Sequence, residues 1–178
     1  MELQQALEKR KSTRHYLPKE VESEKIREII EAAILSPSWK NSQVTRYYVA
    51  TGNGLKKVYD ALPEFNRKNT ENAPVLIVST IVLNRAGYER DGSPTNELGN
   101  GWGCYDCGMH NMSLILKATE LGLSTLVMGI RDAEKLRQSL DIPENEAPVS
   151  VISVGYSDFD PERPKRKTVD DITKFITE

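Results

Sequence analysis

The 178-residue chain is 38% hydrophobic and 28% charged, which is enough apolar material for one sizeable core and too little for two. Its 24 basic and 26 acidic residues leave a formal net charge of -2, a field too weak to draw in nucleic acid or an anionic membrane, so any anion site must be local. No apolar run approaches the roughly 20 residues that span a bilayer, the opening MELQQALEKRKS holds no signal-peptide core, and two cysteines make no disulfide scaffold. A single domain over residues 1–178 in a cytoplasmic protein is expected.

Taken in chain order, Leu3, Ala6 and Leu7 share one side of a short amphipathic helix over residues 2–9, and the basic run RKSTRH after it reads as a loop or helix end. Ile26, Ile29, Ile30, Ala33 and Ile34 recur at spacings of three and four, which predicts a helix with Ser23 as its N-cap and Pro37 as its stop. RYYVAT, residues 46–51, has strand composition, and Leu55, Val58, Tyr59 and Leu62 return to helical spacing over 54–62. PVLIVSTIVL, residues 74–83, is apolar almost throughout and reads as a strand buried on both faces.

Residues 84–103 are rich in Gly, Asn, Pro and Asp and lack periodicity, which predicts a long surface excursion of the kind that covers a site. From Met109 through Met112, Leu114, Ile115 and Leu116 to Gly122 the chain is apolar around much of a helix, the most buried one expected. LSTLVMG reads as a strand, DAEKLRQSL as a helix capped by Asp132, and PVSVISVGY as a strand entered at Pro148. The basic ERPKRK then leads into a weak helix, VDDITKFI. This mixture predicts an α+β layer fold.

Two stretches carry chemistry. Arg10, Lys11 and Arg14, interleaved with Ser12 and Thr13, suit a phosphate monoester, because guanidinium groups bind it through paired charge-assisted hydrogen bonds. Taken alone, the same run also reads as a solvated charged face. In SPSWKNSQ, Ser38, Asn41 and Gln43 crowd the mouth of a helix with groups that donate and accept, which matches the edge of a flat heteroaromatic ring and equally a turn that ends a helix.

Together, Arg10-Lys11-Ser12-Thr13-Arg14 and Ser36-Pro37-Ser38-Trp39-Lys40-Asn41-Ser42-Gln43 resemble the nitroreductase family, with its RxSxR-like phosphate motif followed by SPSxxNxQ. NAPVLIV resembles the family's core strand, DCGMHNMSLILKATELGLST its central helix, VMGI its flavin-contacting strand end, and VGYSDFDPERPKR its closing strand and basic tail. The chain departs from the pattern at Val44 and Thr45, where Pro and Trp are usual, and at Gly129-Ile130, where Gly-Gly often stands.

The resemblance implies a mainly antiparallel sheet flanked by helices, a homodimer, and bound FMN reduced by NADH or NADPH as a transient co-substrate. Electrons then pass in a ping-pong cycle, as hydride through flavin N5, to a nitroaromatic, a quinone or a related small-molecule acceptor, with no catalytic side chain. It implies that Arg10, Lys11, Ser12 and Arg14, with Lys165 and Arg166, hold the phosphate and ribityl chain, and that the tail, 160–178, reaches the partner. Pro37, Ser38, Trp39 and Asn41 would reach the flavin of the other subunit, Asn66 its pyrimidine edge, and Val127, Gly129 and Ile130 the strand end whose N–H approaches N5. Residues 84–103 fall where the family varies its substrate lid, in which Tyr88, Trp102 and Tyr105 offer stacking surfaces.

Other readings compete. A flavin store or sensor would need the same binding residues without turnover. Cys104 and Cys107 form a CxxC with His110 three residues on, the spacing of a redox dithiol or a metal site on one helix face. Ligand count opposes a metal, since the only other histidine, His15, is distant, and no βαβ pattern precedes the cysteines. Gly99, Gly101 and Gly103 lack the GxGxxG spacing and the preceding strand of a dinucleotide fingerprint.

Overall fold

A computed structural model describes residues 1–177. Its centre is β2 (Val75–Val82), the apolar run of the sequence, paired antiparallel on one side with β1 (Thr45–Thr51) and on the other with β4 (Glu146–Gly155). The strand β3 (Ser124–Met128) pairs antiparallel with β4, which gives a four-stranded sheet in the order β1-β2-β4-β3. Because successive side chains of a strand point to opposite faces, β2 feeds two cores. Val75 and Ile77 pack with Ile29 and Ala33 of α2 (Ser23–Ile34) and with Leu114, Ile115 and Ala118 of α5 (Gly101–Glu120). Leu76 and Val78 face the other way, onto Val58 of α3 (Leu55–Tyr59) and Leu136 of α6 (Ala133–Leu140). Helices on both faces explain why an antiparallel strand lacks the usual apolar-polar alternation.

The α+β expectation holds, with local corrections. Ser23 is not the cap but the first helical residue of α2; Glu22 holds the cap position without a side-chain bond. The helix expected over 54–62 stops at Tyr59, and a further one, α4 (Glu64–Asn69), follows after Pro63, a residue that readily opens a helix. Pro148 lies inside β4, where the register shifts between Ser79 and Thr80 and no β3 residue is paired at its level, so its missing N–H breaks no ladder on that side. The tail helix α7 is a single turn, Val169–Ile172, because Thr168 caps it and Thr173 is extended.

The α1 helix (Leu3–Lys9) ends in the basic run, and α5 begins inside the expected excursion, which leaves 84–100 between β2 and α5. Its buried stripe, Gly103, Asp106, Cys107, His110, Asn111, Leu114, Ile115 and Ala118, is polar in the first half and apolar in the second. Gly103 lets the helix sit on the sheet, since a Cβ there would lie 3.0 Å from Ile81 Cδ1. Among the described residues no helix is long and apolar enough to cross a membrane.

Gly155 closes β4 against Tyr16 and Pro74: an added Cβ would lie 2.7 Å from Pro74 Cδ and 2.9 Å from Tyr16 Cδ1. Gly155→Ala therefore overpacks a fully enclosed contact, and thermal unfolding should show a loss of about 1–3 kcal/mol.

Candidate functional site

The basic run is not a loose loop. The Thr13 N–H donates to Thr125 O at 3.0 Å, and Ser12 bridges Thr125 in parallel, so the segment lies along the free edge of β3. Tyr16, 1% exposed, pins it from below: its hydroxyl donates to Thr13 O at 3.1 Å and lies 2.8 Å from Ser153 Oγ. Burial raises this phenol well above its ordinary pKa, so it stays a neutral donor.

The tail folds back onto the same place. Arg163 Nη2 donates to Leu7 O at 2.7 Å, to Glu8 O and to Arg10 O at 3.0 Å, satisfying carbonyls that the end of α1 leaves open. Lys11 Nζ donates to Asp160 Oδ1 at 2.6 Å. The result is a cleft of about 130 Å³ lined by Arg10, Lys11, Ser12 and Arg14 from the first segment and by Pro161, Glu162, Arg163, Pro164 and Arg166 from the tail, five cations against one carboxylate. Arg10 is held below its usual pKa by burial first and then by the charges of Arg163 and Arg166. Cations crowded around a small cleft repel one another until an anion enters, and a phosphate monoester matches both the charge and the donors.

The structure thus joins Arg10, Lys11, Ser12 and Arg14 to Arg166, which lies 152 positions beyond Arg14 in the chain. Lys165 does not line the cleft, and Arg163, which sequence reasoning passed over, supplies the cross-links. Only its place in ERPKR hinted at it, since an arginine that caps carbonyls looks like any other basic residue.

The second motif is a strained turn. Lys40, Asn41 and Gln43 have φ of 44°, 55° and 48°, left-handed values that cost about 1–3 kcal/mol each unless the surroundings impose them. Ser38 Oγ accepts from the Gln43 N–H at 3.0 Å, Asp106 Oδ2 from the Trp39 N–H at 2.9 Å, and Arg46 Nη1 donates to Gln43 O at 2.7 Å. Asp106 is 1% exposed, and burial raises its carboxyl pKa. Pro37 precedes this turn as the chain leaves α2.

Register shows how far apart the motifs lie. Thr51 pairs with Val75, Val75 with Val154 and Val154 with Thr125, so the Ser12 bridge sits at the Thr51 end of the sheet, on its β3 edge. The turn enters at Thr45, the opposite end of the opposite edge. Three strand spacings and six residues of rise put the corners about 14 Å apart across the sheet and about 20 Å along it.

Near the end of β3 Val127 is 46% exposed, just past it Ile130 is 65% exposed, and an added Cβ on Gly129 meets nothing within 4 Å. Asn66, on α4, is 5% exposed and its Nδ2 donates to Ile130 O at 2.9 Å, so this amide fixes the strand end.

The cysteine motif does not converge. Cys104 is exposed while Cys107 is fully buried, its thiol pushed up to about 11 chiefly by burial. His110 Nδ1 faces the backbone of Asp106 at 2.9 Å, and among the described residues no three His, Cys, Asp or Glu side chains are grouped to hold a metal.

Fold and cleft define an α+β protein with a phosphate-sized basic site at one sheet corner and a strained polar turn at the other. The chain belongs to the Nitroreductase family, whose model matches residues 7–72 and 59–156. It is 28% identical over 152 residues, 83% of this chain and 80% of the relative, to a putative NADH dehydrogenase/NAD(P)H nitroreductase of Archaeoglobus fulgidus. It is similar to the crystal structure of a nitroreductase family protein of Clostridium difficile, with a TM-score of 0.81, 25% identity and 99% of each chain covered. An FMN- and NADPH-dependent nitroreductase from Sphigopyxis sp. shares the fold at a TM-score of 0.83 over 99% of this chain and 100% of that one, with 16% identity.

Two measurements check the geometry. Hydrogen exchange should accelerate at residues 160–166 in Arg163→Ala and stay as in the wild type in Arg166→Ala, whose exposed side chain bonds only Pro164 O among the described residues. Iodoacetamide at about pH 8 should leave Cys107 unmodified in the native protein and label it only in denaturant, as mass spectrometry would show.

Proposed function

We propose that this chain is an FMN-dependent NAD(P)H oxidoreductase that acts as a homodimer on oxidised organic acceptors. The observation that carries the reading is the basic cleft, which gathers Arg10, Arg14, Arg163 and Arg166 from the two ends of the chain around a space of phosphate size. Bound FMN supplies two-electron transfer from a nicotinamide to an acceptor such as a nitroaromatic or a quinone.

This chain's residues bind and orient. Arg10, Arg14 and Arg166 hold the phosphate through charge-assisted bonds, Lys11 adds charge beside Asp160, and Ser12 offers its hydroxyl to the adjoining chain of alcohols. The open backbone at Gly129-Ile130, held by Asn66, presents donors to the ring without a side chain in the way. Pro37, Ser38, Trp39 and Asn41 lie at the far corner, too distant from this cleft to reach a ligand seated in it, and a second copy of the chain brings its own turn there. Tyr105 and Met112, both exposed and two turns apart on α5, give that copy an apolar stripe to cover. No side chain is required to move a proton in the first half of the cycle.

The purified protein should be yellow, dimeric and bleached by anaerobic addition of NADH or NADPH; a yellow protein that does not bleach is a flavin store. Arg14→Ala should weaken FMN binding by roughly 10- to 100-fold, the size of one lost bond to a charged group, measured by fluorescence titration of the apoprotein. Full FMN retention in that variant would remove Arg14 from the phosphate site.

A further inference from the structure

The lid is fastened to the turn within one protomer, and the fastening runs through Trp102. Its ring packs on Trp39 with centroids 4.6 Å apart and planes at 47°, and its Nε1 donates to Asn96 Oδ1 in the lid at 2.9 Å. From the other side the lid backbone presses on the same indole: at Gly87, φ 80°, a Cβ would lie 2.7 Å from Trp102 Cδ1 and 2.5 Å from Gly99 O. Asn84 and Asn100 tie the two ends of the lid, Nδ2 of Asn100 to Oδ1 of Asn84 at 3.0 Å and the Asn84 N–H to Asn100 Oδ1 at 2.8 Å. Lys40 reaches Glu89 at 3.1 Å across the seam, an exposed pair that adds little energy but matches the alignment. Beneath this stack, buried Asp106 holds the backbone of Trp39.

We infer that the Trp39–Trp102 pair is a latch that fixes the lid before any acceptor arrives and so sets the size of acceptor admitted. Trp102 and Trp39 are specificity-determining residues, and Asp106 is a positioning residue acting through Trp39. This rests on the FMN oxidoreductase reading above. Trp102, packed between Trp39 and the lid backbone and edge-on to Tyr105 at 5.9 Å, is wall and not stacking platform. A wall held by several close contacts cannot swing aside for a larger substrate without breaking them together, so selection is by shape and not by induced fit.

The two tryptophans are the only ones in the chain, so near-ultraviolet circular dichroism at equal FMN content reports their stack directly. Asp106→Ala should diminish that signal and Asp106→Asn restore it, because the amide oxygen still accepts the Trp39 N–H. Trp102→Ala should raise kcat/KM for a two-ring quinone relative to a one-ring quinone by about tenfold or more. Asn96→Ala, which frees the indole N–H without removing the ring, should shift the same ratio in the same direction by less, and it serves if Trp102→Ala does not fold. An unchanged ratio in the folded variants overturns the gating role, and an unchanged dichroism in Asp106→Ala overturns the role of Asp106. A wild type that binds FMN and reduces neither quinone overturns the functional reading and the gating with it, while the dichroism still judges the latch by itself.

Discussion

The antiparallel register of β2 against β4, set by pairs such as Val75–Val154 and Ile77–Ile152, is the constraint from which the rest follows. It places β1 and β3 on opposite edges, and each edge receives one of the two motifs that carry chemistry. The basic segment lies along β3 through Thr13 and Thr125, and the polar turn feeds into β1 at Thr45. A slip of one residue would exchange the two cores and carry both motifs away from their partners.

Each corner is then built in its own way. The basic corner is held from below by a neutral, buried tyrosine and from the side by Arg163, so that the remaining arginines line a cleft in which Glu162 is the one carboxylate. The other corner stores strain at Lys40, Asn41 and Gln43, kept there by Ser38, Asp106 and Arg46. Both arrangements are costly for the protomer alone, the first by repulsion and the second by backbone conformation, as expected of segments shaped for a ligand.

The polar half of the α5 stripe links these regions to the core. Asn111 Nδ2 donates to Ser79 Oγ at 3.2 Å and Tyr47 OH to Asn111 Oδ1 at 3.1 Å, while Asp106 and His110 lie on the same face nearer the turn. Cys107 belongs to this packed seam, which is why its partner in the CxxC spacing, Cys104, points to solvent and the pair forms no shared site.

The sequence by itself determined the kinds of element and their order, because the period of apolar residues reports which face is buried: the run at 75–82, the spacing in 26–34 and the cap at Asp132 were all legible. The two motifs were legible too, as a run of cations with hydroxyls between them and a turn rich in amides and hydroxyls. Only the tertiary structure decided that the tail meets the first helix through Arg163, that Asn66 holds Ile130, that Trp102 is spent on Trp39, and that the two motifs stand at opposite corners. These are contacts between residues distant in the chain, and composition and local spacing carry no information about which distant partner a side chain will meet.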